Sequence, residues 1–130
     1  MFNVSHIHHV AIICSDYKTS KFFYSELLGF DIIRETYREE RQSFKLDLKI
    51  NENEQIELFS FPHPPIRPSH PEAQGLRHLA FAVSDLDACV KHLKENKIEV
   101  EDIHTDHLTG QRFTFFSDPD NLPLELYEIT

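Results

Sequence analysis

The chain has 130 residues, of which 40% are hydrophobic and 27% charged, and this is the ordinary composition of one globular domain. Its formal net charge of −9 argues against nucleic acid and against an anionic membrane surface, because both attract clustered lysine and arginine. The longest apolar run, residues 10–14, is too short to cross a bilayer, and the N-terminal residues lack the layout of a signal peptide. Cys14 and Cys89 lie in apolar patterns typical of small buried side chains in a reducing compartment. We therefore expect a cytoplasmic protein.

The first half of the chain predicts a strand, a helix and three further strands. An apolar strand begins at His9, and Asp16 is a natural N-cap for a helix over 18–28 that Gly29 ends. A strand over 31–36 follows, and the charged residues 38–41 are typical of a solvated hairpin tip. The motif Ile-Glu-Leu-Phe at 56–59 lies near the end of this half.

A proline-rich segment joins the two halves. Residues 59–75 contain five of the seven prolines, so the segment can be neither a central strand nor a helix interior. We expect an extended, stiff spacer. The predicted organisation is one domain over 1–130, with a first module at 5–60, a linker at 61–75 and a second module at 76–129.

The second half repeats the pattern of the first. His-Leu-Ala-Phe-Ala-Val-Ser-Asp-Leu at 78–86 matches 9–17, with His, Ala, Ser and Asp at the same offsets. Asp85 is the predicted N-cap of a helix over 87–95 that Asn96 ends as a left-handed C-cap, and a strand over 99–104 follows. Ser-Asp-Pro-Asp-Asn-Leu-Pro at 117–123 predicts a turn, and Leu-Glu-Leu-Tyr at 124–127 answers Ile-Glu-Leu-Phe. The fold expected is therefore α+β, built from a duplicated unit.

Histidine and glutamate recur at matched positions of the two halves. His9 precedes Glu57 by 48 positions, and His78 precedes Glu125 by 47. Within each first strand the histidine shares a face with small alanines, which leave room for a cavity. Two imidazoles and two carboxylates suit a divalent first-row metal with open positions for water or substrate. One such residue alone is more often structural, but the repeated pairing favours a metal site.

These motifs resemble the vicinal oxygen chelate superfamily, which includes glyoxalase I, fosfomycin-resistance thiol transferases, bleomycin-resistance proteins and extradiol dioxygenases. The resemblance covers nearly the whole chain, and Phe-Thr-Phe-Phe-Ser-Asp-Pro-Asp-Asn-Leu-Pro-Leu-Glu-Leu-Tyr-Glu at 113–128 is its most specific part. It implies paired βαβββ modules that form a curved mixed sheet around a metal cleft. Carried over residue by residue, the family ligands fall on His9, Glu57, His78 and Glu125.

Glu57 points to one branch of that superfamily. Thiol transferases and dioxygenases resemble two-His, one-Glu sites, whereas glyoxalase I proteins have a second carboxylate at this position. The resemblance implies a lyase or isomerase that acts on a small α-hydroxy carbonyl or hemithioacetal through a metal-stabilised enediolate. Glu125 is the expected proton carrier and Glu57 its partner. Nickel, cobalt or zinc is expected as the one metal per chain, with manganese as a further option, and small family members favour a homodimer.

Two positions depart from the glutathione-dependent members. The family's Arg and Asn anchors for glutathione carboxylates correspond to Ile13 and Phe61, and neither side chain can pair with a carboxylate. The cationic candidates for substrate contact are Arg67, Lys45 and Arg112. Substrate identity is therefore open at the level of sequence.

Two alternatives stand beside the glyoxalase I interpretation. The first is another metal-dependent enzyme of the superfamily, a thiol transferase or a dioxygenase. The second is a small-molecule-binding protein without turnover, although the complete ligand set disfavours it.

Overall fold

The computed structural model describes residues 1–130 and divides the chain into two compact units, Met1–Pro65 and Ile66–Thr130. Each unit has one four-stranded mixed sheet and one helical segment. This is the α+β, paired βαβββ architecture expected from the sequence. No helix of the protein is long and apolar enough to span a membrane.

Unit 1 contains the first βαβββ module. Its elements are β1 (His9–Cys14), α1 (Tyr17–Phe22), β2 (Asp31–Arg38), β3 (Ser43–Lys49) and β4 (Gln55–Ser60). The strand order is β1-β4-β3-β2, with β1 parallel to β4 and the other neighbours antiparallel. A short 3₁₀ turn, Glu39–Arg41, closes the β2–β3 hairpin where the charged tip was predicted.

Unit 2 repeats this connectivity. Its elements are β5 (Leu79–Val83), α2 (Leu86–Glu95), β6 (His104–Thr105), β7 (Arg112–Ser117) and β8 (Pro123–Glu128). The strand order is β5-β8-β7-β6, with β5 parallel to β8. In the β7–β8 turn the Asp118 carboxylate accepts hydrogen bonds from the backbone N–H groups of Asp120 and Leu122, at 2.8 and 2.9 Å.

Alternation along the strands separates a buried face from a polar face in unit 1. Leu46 and Leu48 of β3 and Ile56 and Leu58 of β4 have no accessible surface. The residues between them point to the opposite face because side chains alternate along a strand. The apolar face therefore forms the core of unit 1, and the polar face is available for a functional site.

The helices begin as predicted. The side chains of Asp16 and Asp85 accept hydrogen bonds from the backbone N–H groups of Thr19 and Ala88, at 3.1 and 3.0 Å. Each acidic residue therefore satisfies one of the N–H groups that a helix N-terminus leaves free.

Three details of the sequence-based prediction are wrong. The first helix is α-helical only to Phe22 and continues as a π-helix over Phe23–Leu27; the Ser25 hydroxyl donates to the Lys21 carbonyl, which an α-helix would use for a backbone bond. Asn96 is not left-handed, and the positive φ of 61° falls on Lys97. The strand expected over 99–104 is reduced to His104–Thr105; at Glu101 the backbone N–H donates to the Phe115 carbonyl, whereas the Glu101 carbonyl accepts from the Thr114 hydroxyl.

Neither cysteine forms a disulfide, as expected. Cys14 is buried, whereas Cys89 is only half-buried, so the expectation of two buried cysteines holds for one of them. Partial burial raises the pKa of the Cys89 thiol, and Asp85 and Glu128 add to the effect by repelling the thiolate.

Candidate functional site

The polar face of unit 1 brings His9 and Glu57 together. Ala11 lies directly opposite Glu57 across the parallel β1–β4 pair, and His9 precedes Ala11 by two positions on the same face. His9 Nδ1 lies 3.4 Å from Glu57 Oε2. The Glu57 side chain is 11% exposed and the His9 side chain 40% exposed. The carboxylate of the pair is therefore nearly buried, and the imidazole ring is accessible.

A second carboxylate and one lysine surround Glu57. Asp47 lies opposite Glu57 across the β3–β4 pair and is buried. Lys45 Nζ lies 3.5 Å from Asp47 Oδ1 and 3.7 Å from Glu57 Oε1. One ammonium group thus faces two buried carboxylates, which leaves one negative charge without a fixed partner.

His8 adds a third nitrogen donor to this group. Its Nδ1 lies 2.9 Å from Nδ1 of His9, and the ligand atoms of His8, His9 and Glu57 all lie within 4.8 Å of one another. His8 and His9 are adjacent in sequence, but β1 begins only at His9, so the regular alternation of side chains does not hold at His8.

The polar face of unit 2 carries the second pair in the same register. Ala80 lies opposite Glu125 across the parallel β5–β8 pair, and His78 precedes Ala80 by two positions. His78 Nε2 lies 3.1 Å from Glu125 Oε1, with exposed fractions of 29% for the imidazole and 13% for the carboxylate. The duplication therefore reproduces both the residues and their placement on the sheet.

The surroundings of Glu125 are aromatic where those of Glu57 are charged. Phe115 occupies the position opposite Glu125 that Asp47 occupies opposite Glu57. The His78 ring meets Phe115 edge-on at 5.0 Å between centroids, and Phe113 stacks on Tyr127 at 6.4 Å. The Glu125 carboxylate lies beside the His78 imidazole and forms no ion pair with a lysine or arginine.

An open cavity of about 720 Å³ lies beside this second pair, within unit 2. His78 and Phe115 line it, together with residues of the proline-rich segment and of the stretch after α2. Its volume falls within the range of small-molecule sites.

The residues of each pair fit a divalent metal. Ligands bound at about 2.0–2.2 Å lie roughly 3 Å apart on the edges of the coordination sphere, which is close to the separations within both pairs. Two buried polar atoms also lack hydrogen-bond partners, Oδ1 of Asp47 and Nδ1 of His78. Uncompensated buried carboxylates are costly, and a bound cation removes that cost.

The three cationic candidates occupy different environments. Lys45 lies beside Glu57, as described above. Arg67 is used inside its own loop, where it donates to the carbonyls of Leu76 and Arg77 at 2.6 and 3.0 Å. Arg112 alternates to the face of β7 opposite from Phe115 and pairs with Glu128 and Asp87. Lys45 is thus the one candidate that pairs with a predicted ligand, and Arg67 lines the same cavity as His78.

His8 and Asp47 were missed by reasoning from the sequence. The repeat selects His9 alone, because the second half has Arg77 where His8 stands in the first. Asp47 has an aromatic counterpart, Phe115, so the repeat does not select it either. Alternation within Lys-Leu-Asp-Leu-Lys at 45–49 was the available signal that Asp47 shares a face with Lys45.

Comparison with known proteins places these features in context. Residues 6–126 match the family described as the Glyoxalase/Bleomycin resistance protein/Dioxygenase superfamily. The chain is 66% identical to the uncharacterized protein YwkD of Bacillus subtilis, over 94% of this chain and 95% of that one. It is 57% identical to the uncharacterized protein YaeR of Escherichia coli, over 98% and 99% of the two chains. The crystal structure of a glyoxalase family protein from Enterococcus faecalis is 49% identical, with a TM-score of 0.89 over 95% and 98% of the chains.

Proposed function

Since this chain belongs to the glyoxalase/bleomycin resistance protein/dioxygenase superfamily, we propose that it is a divalent-metal-dependent lyase or isomerase of glyoxalase I type. The substrate class proposed is a small α-hydroxy carbonyl or hemithioacetal. The proposed ligands are His9, Glu57, His78 and Glu125. The observation that carries the proposal is the repeated pairing of a buried glutamate with a histidine at the same register of both sheets.

The metal, when bound, polarises a substrate carbonyl and stabilises the negative charge that develops on its oxygen. Nickel, cobalt, zinc and manganese all suit two imidazoles and two carboxylates. A redox-neutral isomerisation needs no further reagent. One carbon loses a proton to a carboxylate, the adjacent carbonyl carbon receives it, and the hydroxyl proton moves to the former carbonyl oxygen.

Glu125 is the better candidate for the base that carries this proton. Phe115 lies opposite it, and no lysine or arginine pairs with its carboxylate. Glu57 instead has Lys45 3.7 Å from Oε1 and Asp47 directly opposite. A carboxylate that no lysine holds leaves the metal and accepts a proton more readily. We therefore assign the proton transfer to Glu125 and a holding role to Glu57.

The test of the metal assignment is elemental analysis of the purified protein and of His78→Ala. We expect one divalent metal per chain in the parent protein and loss of that metal in the variant. His92→Ala is the matched control, because His92 lies on α2, outside both pairs. Full metal content in His78→Ala would overturn the ligand assignment.

The reaction class is tested on the metal-loaded protein with a panel of α-oxoaldehyde–thiol adducts. Isomerisation without oxygen consumption supports the proposal. Strict dependence on ferrous iron and oxygen would identify a dioxygenase instead, and transfer of a thiol to an acceptor would identify a thiol transferase. Saturable binding of small molecules without turnover of any of them would indicate a binding protein.

A further inference from the structure

A cluster of two arginines and two phenylalanines lies at the far end of the polar face of unit 1. It consists of Arg38, Arg41, Phe59 and Phe61, and we refer to it as the arginine–phenylalanine cluster. The Arg38 guanidinium carbon lies 4.9 Å from the ring centre of Phe59 and 5.7 Å from that of Phe61. Arg41 lies 5.3 Å from the Phe61 ring centre. The two rings are nearly parallel, with centres 6.1 Å apart, so one aromatic platform holds both guanidinium groups.

Neither arginine is neutralised by the protein. Arg38 donates from Nη2 to the Ser43 hydroxyl at 3.0 Å, and its buried Nε has no hydrogen-bond partner. Glu39 and Glu40 lie on the same turn, yet no ion pair joins them to Arg38 or Arg41. Arg112, by contrast, is neutralised by two carboxylates, those of Asp87 and Glu128. In a chain with a net charge of −9, two adjacent unpaired guanidinium groups are a local basic site.

The cluster shares a face with the proposed metal ligands. Phe59 follows Glu57 by two positions on β4 and lies opposite Lys45. At about 3.3 Å per residue, the Phe59 row is about 7 Å along the sheet from the Glu57 row. The Arg38 guanidinium folds back over Phe59, and so lies within reach of a small molecule that also contacts Glu57.

We propose that Arg38 and Arg41 bind an anionic group of the substrate, a carboxylate or a phosphate. The inference rests on the proposed function and narrows its substrate class to anionic α-hydroxy carbonyls or hemithioacetals. Guanidinium groups present planar pairs of donors that match both anions, and the Arg41 side chain is exposed. The cluster also places two cations at Phe61, a side chain that cannot itself pair with a carboxylate.

The first test titrates the metal-loaded protein with inorganic phosphate and, separately, with succinate, following amide and arginine side-chain NMR shifts. We expect saturable shifts at Arg38 and Arg41 with at least one of the two anions, and the stronger of the two identifies the preferred group. Arg38→Gln and Arg41→Gln should weaken this binding at least about tenfold, the scale of a charge-assisted hydrogen bond. Arg38→Lys keeps the positive charge and should lose less. Lys94→Gln, which removes one charge from α2, is the matched control and should bind like the parent protein.

Two results would overturn the proposal. One is the absence of saturable shifts at Arg38 and Arg41 with either anion. The other is equal weakening in Lys94→Gln, which would indicate only general charge attraction. Arg41 is exposed, so Arg41→Gln reports on the cluster even if Arg38→Gln fails to fold.

Measuring metal binding distinguishes a failure of this inference from a failure of the proposed function. Absence of anion binding in the parent protein, with normal metal content and turnover, rejects the anion-binding role of the cluster alone. Anion binding without any metal affinity rejects the proposed function, and with it the assignment of the anion to a metal-dependent substrate. With a turned-over substrate, Arg41→Gln should raise KM about tenfold for anionic compounds and leave KM unchanged for their neutral analogues.

Discussion

The two glutamates differ in their neighbours although the duplication puts them at equivalent positions. Asp47 lies opposite Glu57, and Phe115 lies opposite Glu125. A lysine ammonium lies 3.7 Å from Glu57, whereas Glu125 lies 3.1 Å from the His78 imidazole and pairs with no lysine or arginine. These different surroundings are the basis on which we propose metal binding for Glu57 and proton transfer for Glu125.

Replacing Glu125 by glutamine should abolish most of the turnover while the fold persists, because the amide has nearly the same shape. Glutamine can still offer a carbonyl oxygen to a metal, but it has no basic oxygen to accept a proton. We expect turnover to fall by roughly a hundredfold or more, the usual scale for a general base. Glu57→Gln should be milder at matched metal content. Solvent deuterium incorporated at the product carbon measures the transfer directly, and equal activity in Glu125→Gln and the parent protein would exclude the base role.

His8 should contribute to metal affinity if the three-residue group of unit 1 acts together. Its Nδ1 lies 2.9 Å from that of His9, a separation that two ligands of one ion would have. We expect His8→Ala to weaken metal binding by about tenfold, the lower range for residues around a metal site. His6→Ala removes an exposed imidazole two positions earlier and serves as the control. Equal affinities of the two variants in a competition assay with a chelating dye would place His8 outside the ligand set.

Arg112 connects three elements of unit 2. It donates to Glu128 at the end of β8 from both Nε and Nη2, at 2.9 and 3.0 Å, and to Asp87 in the first turn of α2 at 2.8 Å. Glu128 also accepts from the backbone N–H of Leu86, the first residue of α2. The hydrogen bonds from Arg112 are the main cause of the lowered pKa values of Asp87 and Glu128.

These lowered pKa values give Arg112 a pH-dependent effect on stability. A carboxyl group whose pKa is lower in the folded state adds stability above its unfolded pKa of about 4, and that stability is lost as the pH falls through the folded pKa. Arg112→Gln should therefore unfold at lower urea concentration than the parent protein near neutral pH, and the difference should shrink below about pH 3. Lys91→Gln, which removes an exposed pair with Glu95, should show almost no difference at either pH. A difference for Arg112→Gln that stays constant with pH would contradict the electrostatic explanation.

Strand positions and helix starts follow from local sequence, and helix ends and weak strands do not. Asp16 and Asp85 cap their helices because an acidic side chain at that place satisfies a free N–H group. The π-helix after α1 contains a hydrogen bond from the Ser25 hydroxyl to the Lys21 carbonyl. Beside the shortened 99–104 strand, the Glu101 carbonyl accepts from the Thr114 hydroxyl. Hydrogen bonds from side chains to the backbone cannot be predicted from the hydrophobic periodicity of the sequence.

The candidate site was predictable only as far as the repeat extends. His9, Glu57, His78 and Glu125 recur in both halves, and the sequence therefore predicts their pairing within each half. Asp47 and His8 have no counterpart in the second half, and Arg112 lies on a face that composition alone cannot assign. Side chains that differ between the copies need the strand register before they can be placed.

At the scale of the whole molecule, we predict a homodimer. Light scattering at micromolar concentration should give twice the 15.3 kDa mass of one chain. If the metal ligands come from two chains, dilution to monomer should release the metal, and elemental analysis of the separated species measures this. A monomer that keeps its metal would show that a single chain supplies the complete ligand set.

The division of each sheet into an apolar and a polar face bears on how such a protein changes over evolutionary time. Leu46, Leu48, Ile56 and Leu58 hold unit 1 together from one side, and Lys45, Asp47 and Glu57 alternate with them on the other. Substitutions on the polar face therefore alter ligands and charges while leaving the packing of the core intact. A lineage that carries this fold is therefore able to change its ligand set while it keeps the apolar packing on the opposite face of the sheet.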